Sequence, residues 1–288
     1  MGKIAIHGIF ILFCLACLLP FLMIIAISLT GEQDILDYGY RLFPRNLSRL
    51  AYEIIFSNPQ QILQSYRVSL FVSLFGSVVS VFLMMLASYP LSRKNFSLRR
   101  GIMFYIFFTM LFSGGLVPSY ILITRFLRLG NTIWVMIIPS LVNAWSIIIM
   151  RSFCMKIPES IFESAKIDGA RELQIFFSFV IPLSTPVLAT MMLFGVLQRW
   201  NDWFTALLYI RDSSLYPLQY LLQRVMRELQ FLEDLSENMM MDINAVVKIP
   251  GESMRMAMCV IAAGPMILIF PFFQRFFVRG VTVGSIKG

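Results

Sequence analysis

Apolar residues are not scattered along this chain. They fall into six long stretches, free of Asp, Glu, Lys and Arg, with polar segments between them. The stretches run from Ile4 to Gly31, Val68 to Ser92, Gly101 to Thr124, Leu129 to Met150, Leu173 to Gln198 and Met256 to Gln274. Each holds roughly 19 to 28 residues, against the ~20 that an α-helix needs to cross ~30 Å of hydrocarbon. In lipid, only helices and closed barrels satisfy their own backbone, and no strand-like alternation is present. The pattern predicts an all-α membrane protein with six transmembrane helices, over about 4–30, 68–91, 101–123, 130–150, 176–198 and 256–274, in a single domain covering 1–288. The first stretch is longer than the apolar part of a cleaved signal sequence and ends without a convincing small-residue cleavage site, so it reads as a retained span.

Composition agrees. Hydrophobic residues make up 58% of the chain and charged residues 14%, with a mean hydropathy of +0.76, which leaves too few charges to cover a soluble globule. The net charge of +8 could suggest a nucleic-acid partner, but the basic residues flank apolar spans, where anionic headgroups and topology favour them. No nucleic-acid partner is expected, and membrane lipid is. Basic density is highest in the short loop Ser92 to Arg100, SRKNFSLRR, which places that loop and both termini in the cytoplasm. Outside, the acidic stretch Glu228 to Asp242 reads as a surface amphipathic helix.

One polar segment carries more information than the others. In Ile157 to Pro182, Pro158 and Glu159 suit the first turn of a short helix reaching about Lys166. Ile157, Ile161, Phe162 and Ala165 share one side of it, and Glu159, Glu163 and Lys166 another. Gly169 tolerates the positive φ of a turn, and the Asp168 carboxylate is placed to cap a second helix starting near Ala170. That helix runs on into the membrane, with Pro182 and Pro186 bending it. The expected result is a helix–turn–helix elbow on the membrane surface, over about 154–175.

At these residues the chain resembles a known family. Glu163-Ser164-Ala165, Asp168-Gly169-Ala170 and Ile181-Pro182 are similar to the EAA loop of the permease subunits of binding-protein-dependent ABC importers, with small departures at Ser164, Phe179 and Ile181. The six spans, the Trp200-Asn201-Asp202-Trp203 stretch and the tail FFVRGVTVGSIKG resemble the carbohydrate (MalG-like, multiple-sugar/oligosaccharide) branch. The resemblance implies a type I ABC importer permease bundle in the bacterial cytoplasmic membrane, with the elbow as coupling helix. It implies a second permease subunit in a heterodimer, two copies of a cytoplasmic ABC ATPase and an extracytoplasmic sugar-binding protein. Phe162, Glu163, Ser164, Ala165, Asp168, Gly169 and Ala170 would then couple to the ATPase, Glu163 through a polar contact and Phe162 and Ala165 through apolar ones.

Other chemistries are poorly supplied. There is no GxxxxGK[ST] phosphate cradle, so the chain is not expected to be an enzyme or to hydrolyse ATP itself. The one histidine, His7, has no acid or nucleophile near it in sequence, and the Cys14–Cys17 pair lies in an apolar run without further ligands. No catalytic, metal or cofactor site is expected. A sugar path would want aromatic faces with amides beside them, which Gln198, Trp200, Asn201 and Trp203 offer, although an interfacial aromatic belt accounts for them as well. Asn143, Trp145 and Ser146, like Ser88 and Tyr89, either line a cavity or hydrogen-bond between helices. The competing readings are an ABC permease for an amino acid, peptide or oxyanion, and a gradient-driven carrier.

Overall fold

The computed structural model describes residues 2–239 and 251–285. In chain order the helices are α1 (Gly2–Ser28), α2 (Glu32–Tyr38), α3 (Leu50–Ile55), α4 (Pro59–Ser92), α5 (Arg99–Leu111), α6 (Leu116–Ile121) and α7 (Ala144–Cys154). There follow α8 (Glu159–Ile167), α9 (Glu172–Ile175), α10 (Ile181–Leu183), α11 (Thr185–Trp200), α12 (Phe204–Tyr209), α13 (Leu218–Met239) and α14 (Gly251–Ser285). Among the described residues the only β pairing is an isolated bridge between Thr30 and Leu47.

Among the described residues three helices are long and apolar enough to cross a membrane unaided: Ile6–Ser28, Pro59–Ser92 and Gly251–Pro271. Three bent pairs bring the number to as many as six when each pair is taken as one span. Arg99–Leu111 and Leu116–Phe126 meet at 114°, Ile133–Ser140 and Ala144–Cys154 at 50°, and Glu172–Leu183 and Thr185–Trp200 at 77°. The first break has a clear cause in Gly115, whose φ of +83° favours glycine. Helix resumes at Leu116. The third break follows Pro182 and precedes Pro186, where two missing N–H groups interrupt the ladder, and a π-helical turn at Phe176–Val180 leads into it.

The chain divides into two compact units. One comprises the described residues within 1–63 and 218–267. Its α1 is exposed over most of its described apolar length, with Ile27 and Ser28 at its end buried. The Glu32 carboxylate caps the start of α14, accepting from the backbone N–H of Glu252 (2.9 Å) and Ser253 (3.1 Å) and from the Ser253 hydroxyl (2.9 Å). The expected amphipathic segment from Glu228 is helical as far as Met239, and 240–242 lie outside the described residues.

The other unit comprises the described residues within 64–217 and 268–288. Its spine is α4, along which Ser65, Ser69, Ser73, Ser77, Ser80 and Ser88 are all buried. Small side chains at helical spacing let neighbouring backbones approach, and several of their hydroxyls bond locally or across the contact, while that of Ser73 has no partner among the described residues. Ser88 donates to Met84 O (2.7 Å) and Ile147 O (3.2 Å), and Ser80 to Leu141 O (2.6 Å). Ser88 is therefore a packing group, whereas Tyr89, although 6% exposed, borders a cleft of about 390 Å³ together with Pro90, Phe96, Glu172 and Phe176. A continuous core joins Met84, Met85 and Tyr89 of α4 to Ile147 and Met150 of α7 and to Val187 and Met191 of α11. Phe162 and Ala165 of the elbow, with Ile175 and Phe176 just beyond it, belong to that same core.

Candidate coupling site

The elbow forms where the residue pattern places it. Pro158 stands just ahead of α8 with extended backbone, and Glu159 opens the first turn, close to the positive end of the helix dipole. At its far end α8 closes in a Schellman motif: Ala170 N–H donates to Ala165 O (2.9 Å) and Gly169 N–H to Lys166 O (3.0 Å), with Gly169 at φ +77°. A β-carbon cannot sit comfortably at that φ, so glycine is what allows the chain to reverse.

The second helix begins later than expected. Its first residue is Glu172, and the cap is supplied by the Gln174 side chain, which accepts from Arg171 N–H at 2.8 Å. Asp168 sits at the end of α8, and the Schellman geometry turns the chain before its carboxylate could cap anything downstream.

Burial divides the elbow into two faces. Phe162 is 2% and Ala165 4% exposed, both turned into the bundle. The Phe162 ring packs 6.1 Å from that of Tyr89 and lies 3.9 Å beneath the Arg93 guanidinium, a cation–π contact. Arg93 also pairs with Glu159 at 3.1 Å. On the other side of the turn, Glu172 accepts from Tyr89 Oη (2.7 Å) and pairs with Lys166 (2.7 Å), so one carboxylate ties α9 both to α4 and back to α8. The outward face carries Ser160, Glu163, Ser164 and Ile167, the last 86% exposed. Among the described residues Glu163 has no ion-pair partner. Phe162 and Ala165 thus anchor the elbow to the core of this chain. The amphipathic pattern identified an apolar face without indicating what would cover it.

The residues expected along a substrate path differ in their surroundings. Asn143 caps α7, accepting from Ser146 N–H (3.0 Å) and the Ser146 hydroxyl (3.3 Å). Trp200 is 1% exposed and packs at 6.4 Å from the Tyr66 ring, so its face is not open for stacking on a sugar. Asn201 donates to Leu197 O (2.8 Å) at the end of α11, and Gln198 is exposed. Trp203 is half-buried, edge-on to Phe204. Asp202 caps α12 by accepting from Thr205 N–H (3.0 Å) and the Thr205 hydroxyl (2.6 Å). Among the described residues no cluster of His, Cys, Asp or Glu could hold a metal ion.

Sequence reasoning missed Arg199, because a charge was taken to mark the end of the fifth span. Helix α11 continues through it and buries the guanidinium, 7% exposed. Nη2 donates to Ser140 O (2.8 Å), and Nη1 lies 3.4 Å from both Ser77 Oγ and Gly195 O, fastening α11 to α4 and to the turn Ile138–Ser140. Glycine is required beside it: a Cβ on Gly76 would stand 2.9 Å from Arg199 Nε. We expect Gly76→Val to destabilise the fold by about 1–3 kcal/mol through overpacking. An unchanged thermal midpoint in detergent would count against that staple.

A multi-pass membrane bundle carrying a surface elbow anchored in its core is the class of protein these features define. Residues 76–283 match the family described as binding-protein-dependent transport system inner membrane component, and the chain belongs to it. It is 39% identical over 283 residues to the polygalacturonan/rhamnogalacturonan transport system permease protein YtcP of Bacillus subtilis, covering 98% of this chain and 97% of the relative. It is 26% identical over 294 residues to the arabinooligosaccharides transport system permease protein AraQ of the same organism, covering 99% and 96%. The fold is similar to a chain in the crystal structure of a bacterial ABC transporter involved in the import of the acidic polysaccharide alginate. The TM-score is 0.80 with 29% identity, and 96% of each chain is covered. The protein is therefore a transport permease subunit that works as one component of an ABC transporter.

Proposed function

We propose that this chain is the permease through which an ATP-driven importer moves an oligosaccharide across the bacterial cytoplasmic membrane, acidic or arabinose-containing oligosaccharides being the first to try. Three of the proteins it resembles carry such cargo in their names. The observation that carries the mechanism is the two-faced elbow. Its inner face is continuous with the helical core, and its outer face, Glu163 with Ser160, Ser164 and Ile167, is free to be gripped.

In this reading the whole chain acts as one permease domain with both termini and the elbow in the cytoplasm. Hydrolysis belongs to two copies of a separate ATPase, a second permease completes the pore as a heterodimer, and an extracytoplasmic sugar-binding protein delivers the cargo. When the ATPase pair closes on nucleotide, Phe162 and Ala165 pass the displacement to α4, and Ile175 and Phe176 pass it to α11. Gly169 sets the angle between the elbow's two arms, with Asp168 and Ala170 completing its turn. Among the path residues, Gln198 and Asn201 remain exposed for contact with cargo, Trp203 is half-accessible, and Asn143 and Trp200 act by holding helix ends and packing.

The test is uptake of labelled oligosaccharide into proteoliposomes of the complete complex. Uptake that requires ATP and the partner ATPase supports the proposal, whereas uptake driven by a proton or sodium gradient alone contradicts it. Glu163→Lys places a cation on the gripped face and is expected to lower uptake and ATPase co-purification by at least about tenfold. Unchanged co-purification would move the contact elsewhere.

A further inference from the structure

A cleft of about 550 Å³ lies where the loop after α4, the start of α5, the end of α7 and the approach to the elbow meet. Its charge is one-sided. Arg93, Lys94, Arg99, Arg100 and Arg151 line it together with a single acid, Glu159, which is already paired with Arg93. Among the described residues no carboxylate lies within ion-pair distance of Lys94, Arg99, Arg100 or Arg151. Helix α5 adds to the imbalance, because it begins at Arg99 with no acidic residue in its first turn, so its positive end faces the same space.

Like charges gathered around a partly enclosed volume repel one another, and Glu159 offsets one of the five cations. Arg151 is also held in place, its Nε donating to Leu91 O at 2.9 Å. Guanidinium groups match phosphate oxygens in bidentate geometry, so a cleft of this composition suits a phosphate group.

The surroundings indicate where the phosphate comes from. Met103, Met155 and Ile157 give the cleft an apolar side. Beyond it, α5 has no buried residue at all, and Phe104, Tyr105 and Leu111 are each about two-thirds exposed. A free phosphate would use only the basic rim, whereas a phospholipid would use the rim for its headgroup and α5 for its acyl chains. We propose that this cleft binds the phosphate of an anionic phospholipid in the leaflet beside the elbow. Basic pockets between membrane helices are suited to such headgroups.

The test uses the full chain, purified and delipidated in neutral detergent, with bound lipid counted by native mass spectrometry. Phosphatidylglycerol is expected to bind one per chain and to be preferred at least about tenfold over phosphatidylcholine. Replacing Lys94, Arg99 and Arg100 together by Gln should weaken that binding on the order of a hundredfold. Arg99→Lys with Arg100→Lys should retain it, which separates lost charge from lost fold.

Equal binding of the two lipids, or phosphatidylglycerol binding unaffected by the Gln variant, would overturn the proposal. Inorganic phosphate that occupies the cleft while phosphatidylglycerol does not would overturn the lipid source. If the Gln variant loses the ATPase but keeps its lipid, the cleft is a protein contact and the proposal fails.

Discussion

Replacing Gly169 by Pro is expected to abolish ATP-driven uptake while leaving membrane insertion and abundance unchanged. Proline holds φ near −65°, and Gly169 stands at +77°, so the turn cannot form with proline in place. The substitution also removes the N–H that donates to Lys166 O, and it disfavours the helical backbone of Asp168 before it. With the Schellman closure gone, α8 is no longer aimed by α9, and the Lys166–Glu172 pair that spans the turn comes apart. The spans are untouched, because Gly169 is exposed and nothing lies within 4 Å of where its Cβ would be. Gly169→Ala is the control: it keeps the N–H and costs about 1–2 kcal/mol for the left-handed backbone, so most of the uptake should survive. Normal uptake by the Pro variant would contradict the coupling role of the elbow.

The second large effect is expected at Phe162. Its side chain is almost wholly buried under Arg93 and against Tyr89, and truncation to Ala should cost about 3–5 kcal/mol by leaving a cavity in the core that joins elbow to spans. The consequence is uncoupling as well as instability. The ATPase should still dock on the outward face and hydrolyse ATP, while transport per ATP falls by at least about tenfold. Phe162→Leu, which refills most of the volume, should cost under about 1.5 kcal/mol and keep transport largely intact. Transport and hydrolysis falling in parallel in the Ala variant would mean that Phe162 supports the fold without relaying movement.

The spans were legible in the sequence because lipid thickness imposes a length and the absence of charge marks it. Their bends were harder to read. At Phe112–Gly115 and at Ser184 the chain breaks without introducing a charge, and the local signal of glycine, serine and proline does not give an angle. The elbow was legible for the opposite reason, since local chemistry suffices: Pro158, Glu159 and Gly169 each act within a few residues. Which face of it is covered was not legible, because Phe162 meets Tyr89 and Arg93 across more than 60 residues of chain. Trp200 and Trp203 looked alike in sequence, yet one is buried against Tyr66 and the other half-open. Arg199 escaped notice because a buried guanidinium resembles a span boundary until Ser140 O and Ser77 are seen beside it.

The central claim is that the outward face of α8 lies on the ATPase side of the membrane and is covered when the ATPase docks. The direct measurement is the reaction of a Glu163→Cys variant with a membrane-impermeant maleimide, in a background from which Cys14, Cys17, Cys154 and Cys259 have been removed. The account predicts no labelling in intact cells, labelling in inside-out vesicles stripped of the ATPase, and protection when the ATPase is restored. Labelling of Glu163→Cys from outside intact cells would contradict it.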